Sequence, residues 1–158
     1  MRILFKLLPV MLVIASCKDP LSVAAEKKEV GIFLENYKRL LQGAKFDSVA
    51  LLYVDTGFVS IGYGNLAIQN IDTIKAFYSR FPKTLVDFRW EDTRIDILSD
   101  RAALVNSLFY WHVKDSADTT KSSYTGVYLK VNNKWKIMNE HESMDFAELT
   151  RLIKKSEQ

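Results

Sequence analysis

The chain of 158 residues is poor in several things, and each shortage excludes a class of protein. It holds one cysteine, so neither an internal disulfide framework nor a cysteine-based zinc site can be built. Histidine occurs twice, with no HxH or HExxH spacing and only scattered acids around it, so no metal and no other cofactor is expected. Neither sign of charge is in large excess. The 22 basic and 19 acidic residues leave +3, too little for a nucleic-acid partner, which needs basic residues crowded on one face. GxGxxG, a P-loop and a nucleophile elbow are all missing, and no repeat or low-complexity stretch interrupts the chain. What is present is 48% hydrophobic, 12% aromatic and 26% charged residues, the composition of one compact domain and not of a disordered, collagenous or coiled-coil chain.

The N-terminus reads as an address. Arg2 and Lys6 supply positive charge with no acid near them, and Leu7 to Ala15 is apolar except for Pro9. That run is about ten residues, whereas a membrane-spanning helix needs about twenty. It ends in Ile14-Ala15-Ser16-Cys17, which resembles the lipobox of bacterial lipoproteins. The resemblance implies a signal peptide over residues 1–16, lipid on the Cys17 thiol, and a lipidated tether over residues 17–26. It also implies residence in the bacterial cell envelope, at the periplasmic face or the outer membrane. Acyl chains, at about 0.8 kcal/mol per buried methylene, hold such a chain on a membrane without a basic patch. An ordinary secretory signal, or a buried helix with a chance cysteine, remains the alternative reading of these residues. Removal of the leader would discard Arg2 and Lys6 but only one aromatic, Phe5.

The remainder, residues 27–158, reads as one domain. Val30, Phe33, Leu34, Tyr37, Leu40 and Leu41 repeat at helical spacing until Gly43. Asp47 predicts an N-cap for a short helix through Val49, Leu52 and Tyr53. Phe58 to Tyr63 reads as a strand, and Ile71, Ile74, Phe77, Tyr78 and Phe81 as a helix capped by Asn70 or Asp72 and closed by Pro82. Four strands follow. Phe88 and Trp90 share one parity and Ile95 and Ile97 the other, so the strand from about Val86 to Leu98 must contain a bulge or bend. Ala102 to Val113 is apolar on both parities, as a covered central strand is. Lys114 to Lys121 reads as a hairpin loop. Ser123 to Val131 alternates, and Asn132-Asn133 suits a two-residue hairpin turn. Trp135, Ile137, Asn139 and His141 are expected on one face of the last strand, and Ser143 is expected to cap a terminal helix carrying Phe146, Leu149, Leu152 and Ile153.

Helices first, a strand, a third helix, then a bent antiparallel sheet ending in Asn133-Lys134-Trp135-Lys136-Ile137 and His141-Glu142-Ser143: this resembles the NTF2-like superfamily over about Val30 to Ser143. It is most similar to the SnoaL-like and DUF4440 branches, and Tyr53-Val54-Asp55 at the end of the short helix matches as well. The resemblance implies a cystatin-like α+β cone: N-terminal helices packed in a strongly curved antiparallel sheet, with a C-terminal helix and a pocket at the open end. Such cones host isomerases, dehydratases, cyclases, partner-stabilising subunits and binding modules, so the fold leaves function open.

The polar and amphipathic residues expected on inward positions are Tyr53, Asp55, Trp90, Asn106, Tyr110, His112, Tyr128, Asn139 and His141. His141 and Asp55 are the catalytic candidates, as an acid–base pair for metal-free proton transfer or dehydration with Tyr110 or Tyr128 as proton donor. Tyr53, Trp90, Asn106, Tyr110, Tyr128 and Asn139 are the candidates for a ligand pocket. The same residues also allow a structural reading, in which His141 is a satisfied strand histidine, Asp55 ends a helix and the tyrosines bury rings with hydroxyls at the rim. Aromatic richness without a convincing catalytic set favours a non-catalytic, lipid-anchored module. It would bind a small apolar or amphipathic molecule, or a protein partner, with homodimerisation through the sheet as the superfamily's habit implies. The alternative is an isomerase-like or dehydratase-like enzyme working in the cone.

Overall fold

A computed structural model describes residues 20–62, 65–79, 85–113 and 119–144. The order is α1 (Pro20–Gln42), α2 (Phe46–Ala50), β1 (Thr56–Gly62), β2 (Asn65–Asn70), α3 (Ile71–Ser79), β3 (Leu85–Ser99), β4 (Ala102–Val113), β5 (Thr119–Val131) and β6 (Lys134–Met144). The strands form one curved sheet in the order β2-β1-β6-β5-β4-β3, in which only the β1–β6 pair is parallel. The expected α+β architecture is what forms. The leader, Cys17, Pro82, residues 114–118 and the expected terminal helix lie outside the described residues. Several boundaries differ from the expectation: Lys45, not Asp47, precedes α2, which ends at Ala50 before Tyr53, and β5 begins at Thr119, inside the stretch expected as a loop. Helix α1 already begins at Pro20, inside the stretch expected as a tether, and Glu26 there is held by Lys130 at 2.6 Å. The segment before α3 forms a second strand, β2, paired with β1.

The local rules account for most elements. Val30, Leu34, Tyr37 and Leu41 form one buried stripe of α1, and the helix packs chiefly on β3. The Asn70 side chain accepts the amides of Asp72 and Thr73 at 3.0 Å each, capping α3. Asn132 and Asn133 turn β5 into β6 with φ of 50° and 59°, the left-handed pair that a two-residue hairpin requires.

The bend expected in β3 is a bulge. Its register with β4 slips between Glu91 and Arg94, Asp92 takes φ of 51°, and Ser107 ties down the exposed backbone by donating to the Glu91 carbonyl at 2.9 Å. A second bulge was not expected. Val127 pairs with Asn139 while Tyr128 pairs with Ile137, so Met138 is an extra residue in β6. Strand side chains alternate with period two, so one extra residue reverses every face beyond it. Trp135 and Ile137 point into the core, but from there on Glu140 and Glu142 point inward, and Asn139 and His141 point out.

Candidate functional site

The interior of the cone is built from tyrosines and two glutamates. Tyr37 arrives on α1, Tyr78 on α3, and Tyr53 just after α2. A short parallel contact fixes Tyr53: the Val54 amide donates to the Ile137 carbonyl and the Ile137 amide to the Leu52 carbonyl, both at 2.9 Å. The hydroxyls of Tyr53 and Tyr78 lie 2.8 Å apart, and those of Tyr37 and Tyr78 3.2 Å. Tyr53 reaches both carboxylate oxygens of Glu140 at 3.3 Å. A hydroxyl has one proton, so when Tyr53 donates to Glu140, Tyr78 donates to Tyr53 and Tyr37 to Tyr78, a relay converging on the carboxylate.

Beside it lies a second pair. Tyr124 and Tyr128 share the inner face of β5 with Gly126 between them, and their hydroxyls meet at 2.8 Å. The ring of Tyr124 packs edge-on against Trp90 at 5.1 Å, and Trp90 against Phe88 at 4.9 Å and Phe109 at 5.9 Å.

This environment moves the ionisation of everything in it. Burial, the nearby Glu142 charge, and against them the Tyr53 hydrogen bond leave the Glu140 carboxyl well above the usual range. Glu142, enclosed by protein although its side chain keeps some solvent contact, is pushed up to about 7 by burial. Burial first, then neighbouring carboxylates and tyrosines, holds Tyr37, Tyr53 and Tyr124 far above neutrality, so their hydroxyls remain donors. Chemically the site offers one carboxyl, Glu142, able to hold or release a proton near neutral pH, a second, Glu140, that burial holds protonated above the usual carboxyl range, and a fixed set of hydroxyl donors.

The expected site is only partly here. Tyr53 and Tyr128 are buried in the cone and Trp90 packs against the core. Asn106, Tyr110 and Asn139 are on the other face. Asn106 accepts from Thr125 at 2.9 Å, and Tyr110 lies under the Arg89 guanidinium at 4.5 Å. His112 shares that outer parity. His141 and Asp55 are both exposed and no hydrogen bond joins them. The acid–base pair expected from sequence is therefore not assembled in the cone: the Met138 bulge turns His141 outward beside Thr125, and Asp55 sits just before β1 with its carbonyl accepting the Ile71 amide. Sequence reasoning missed Glu140, Glu142, Tyr37, Tyr78 and Tyr124. The one available signal was a pair of acids at alternate positions of a strand otherwise assigned to the core. For metals, the described residues contain no group of three histidine, cysteine or acidic side chains placed to hold an ion.

The family described as the calcium/calmodulin dependent protein kinase II association domain matches residues 26–145. No curated protein shows significant sequence similarity to the chain. Among solved structures, a candidate scytalone dehydratase from Novosphingobium aromaticivorans superposes with a TM-score of 0.70 at 16% identity, over 81% of this chain and 89% of that one. The association domain of the Caenorhabditis elegans kinase, matched as "C. elegans CaMKII", gives 0.66 at 19% identity over 78% and 98%. An NTF2-like protein with a cystatin-like fold, also from Novosphingobium aromaticivorans, gives 0.64 at 12% identity over 85% and 97%. At these identities the structures speak for the shared fold, the NTF2-like cone.

Proposed function

Because the chain belongs to the calcium/calmodulin dependent protein kinase II association domain family, we propose that it is a non-catalytic association module. In this reading it is held in the bacterial cell envelope by lipid on Cys17, pairs with a second copy through the outer face of its sheet, and keeps the cone for a small molecule. No helix among the described residues is long and apolar enough to cross a membrane, so attachment rests on the Cys17 segment.

The observation that carries association is the outer face. Leu104 stands opposite Val127, Val127 opposite Asn139, and Asn139 opposite Val59, one continuous row across β4, β5, β6 and β1. Leu104, Val127 and Val59 lie outside the core cluster, and each keeps part of its surface exposed, as do Leu108 and Leu129 nearby. A central apolar row with polar neighbours such as His141, Asn106 and Thr125 has the anatomy of a protein interface.

One experiment tests both parts. The chain carrying Cys17→Ser is expected to leave the membrane fraction and to run in light scattering with the mass of at least two copies. Adding Val127→Asp should weaken association about 100-fold, since it buries an unpaired charge in the interface. A monomeric Cys17→Ser chain defeats the association reading, and a chain that stays in the membrane fraction defeats lipid anchoring.

A second reading is favoured by the glutamate pair: acid–base catalysis, with Glu142 in the role that sequence reasoning gave to His141. A carboxyl titrating near 7 among tyrosine donors is the equipment of proton transfer or dehydration. It would appear as turnover of a β-hydroxy ketone at a rate that follows Glu142 ionisation and is lost in Glu142→Gln. The absence of turnover across such substrates would remove it.

A further inference from the structure

We propose that the inner face of β5 and β6 around Glu142 and Ser122 binds a primary ammonium group carried on an aromatic stem. The proposal rests on the reading that the cone takes a small molecule, and is independent of association through the outer face.

Four observations converge. First, Glu140 and Glu142 occupy alternate positions of β6, on one face and about 7 Å apart along the strand. No cation serves them: among the described residues the ion pairs are Lys38 with Glu35, Arg94 with Asp96, and Lys130 with Glu26 and Glu29. Second, Glu140 has the Tyr53 hydroxyl as donor, whereas Glu142 has no hydrogen-bond partner among the described residues. Third, Ser122 is 2% exposed and its hydroxyl has no hydrogen-bond partner among the described residues. Ser122 is on the inner face of β5, diagonal to Glu142, because Tyr124 pairs with Glu142 and Ser122 with Met144. A buried hydroxyl left unpaired costs about 1–3 kcal/mol, and the register sets it one diagonal step, about 7–8 Å, from Glu142. Fourth, the neighbouring side chains on this face are aromatic: Tyr124, paired with Glu142 across the strands, packs edge-on against Trp90, and Trp90 against Phe109 and, at 5.9 Å, Tyr37.

The unmet demands specify the guest. An anion is repelled by the carboxyls, and an apolar molecule leaves Glu142 and Ser122 unsatisfied. A hard metal ion would want six or more oxygens, and the described residues gather no group of three metal-ligating side chains. A primary ammonium brings three N–H donors, enough for both carboxyls and the Ser122 oxygen. Its aromatic stem would lie against the cluster of rings beside Tyr124.

The groups facing this end from the packed elements are Tyr37 of α1, Tyr53 after α2, Tyr78 of α3, Trp90 of β3, Phe109 of β4, and Ser122, Tyr124 and Tyr128 of β5. None of them changes charge near neutrality, because burial keeps the tyrosines protonated. Binding should therefore follow the two carboxyls, strengthening as pH rises through about 7, where Glu142 gives up its proton.

The test uses the full chain with Cys17→Ser and two probes of nearly equal shape, phenethylamine (cationic at these pH values) and 2-phenylethanol (neutral), followed by calorimetry and tryptophan fluorescence from pH 5 to 8. The expected result is binding of phenethylamine at least about tenfold tighter than 2-phenylethanol at pH 8, with that preference lost in Glu142→Gln and reduced several-fold in Ser122→Ala. Equal binding of the two probes overturns the ammonium site while leaving the cone as a small-molecule site. Binding of neither, by a chain whose circular dichroism shows it folded, overturns both. A preference undiminished in Glu142→Gln places the cation elsewhere and also overturns the proposal.

Discussion

Replacing Glu142 by glutamine should make the protein about 2.5 kcal/mol more stable relative to wild type at pH 8 than at pH 5. The carboxyl has its value raised in the folded state, from 4.5 to about 7. The folded chain therefore holds this proton more tightly than the unfolded chain does. The resulting stability is fully present below about 4.5 and is lost as pH rises through about 7, an interval worth about 3 kcal/mol. Glutamine keeps the shape and has no charge to desolvate, so the variant should lack this slope. Glu140→Gln should act in the same direction, with part of its gain offset by the weaker hydrogen bond that an amide oxygen accepts from Tyr53. Urea unfolding followed by fluorescence at pH 5 and pH 8 measures it. Equal pH slopes in wild type and Glu142→Gln would mean that the carboxyl is not held at a raised value by burial.

Gly126→Val should destabilise by about 3 kcal/mol, against the usual preference of strands for valine over glycine. The ring of Tyr124 lies across Gly126 to meet the Tyr128 hydroxyl four residues on. A Cβ at 126 would lie 2.8 Å from the Cε1 and Cζ atoms of that ring, and closer still to its hydroxyl. Relief requires the ring to move, which breaks the hydroxyl pair and the packing on Trp90. Because the obstruction begins at Cβ, Gly126→Ala should already show most of the loss. The urea midpoint is the measurement, and an alanine variant within about 0.5 kcal/mol of wild type would show that the ring yields freely. The same glycine stands opposite Glu140, so these two effects belong to one neighbourhood and their variants should not be additive.

The β3 bulge and the β6 bulge show how much of the site was legible. In β3 the hydrophobic residues on either side, Phe88 and Trp90 against Ile95 and Ile97, change parity, so the sequence announces the extra residue. In β6 the apolar residue that follows Met138 is Met144, at the strand's last position, too little to reveal the change. The residues that turn inward are the acids Glu140 and Glu142, and parity counted from Trp135 and Ile137 assigns His141 inward instead. Burying acids contradicts the general rule that charges face water. A reading based on hydrophobic pattern therefore errs where a polar site has been placed inside.

By itself the sequence determined the α+β class, the α1 core stripe, the Asn132-Asn133 turn and the bend in β3, because each follows from local periodicity or from the backbone freedom of particular residues. It also yielded the lipobox-like segment at Cys17, a motif legible without any fold. The tertiary structure alone decided which polar residues meet. Tyr37, Tyr53, Tyr78 and Glu140 are separated by up to about a hundred positions and converge through sheet register, the Leu52–Val54 strap on Ile137 and one inserted methionine. No local pattern encodes that register, since it is set by packing between distant segments.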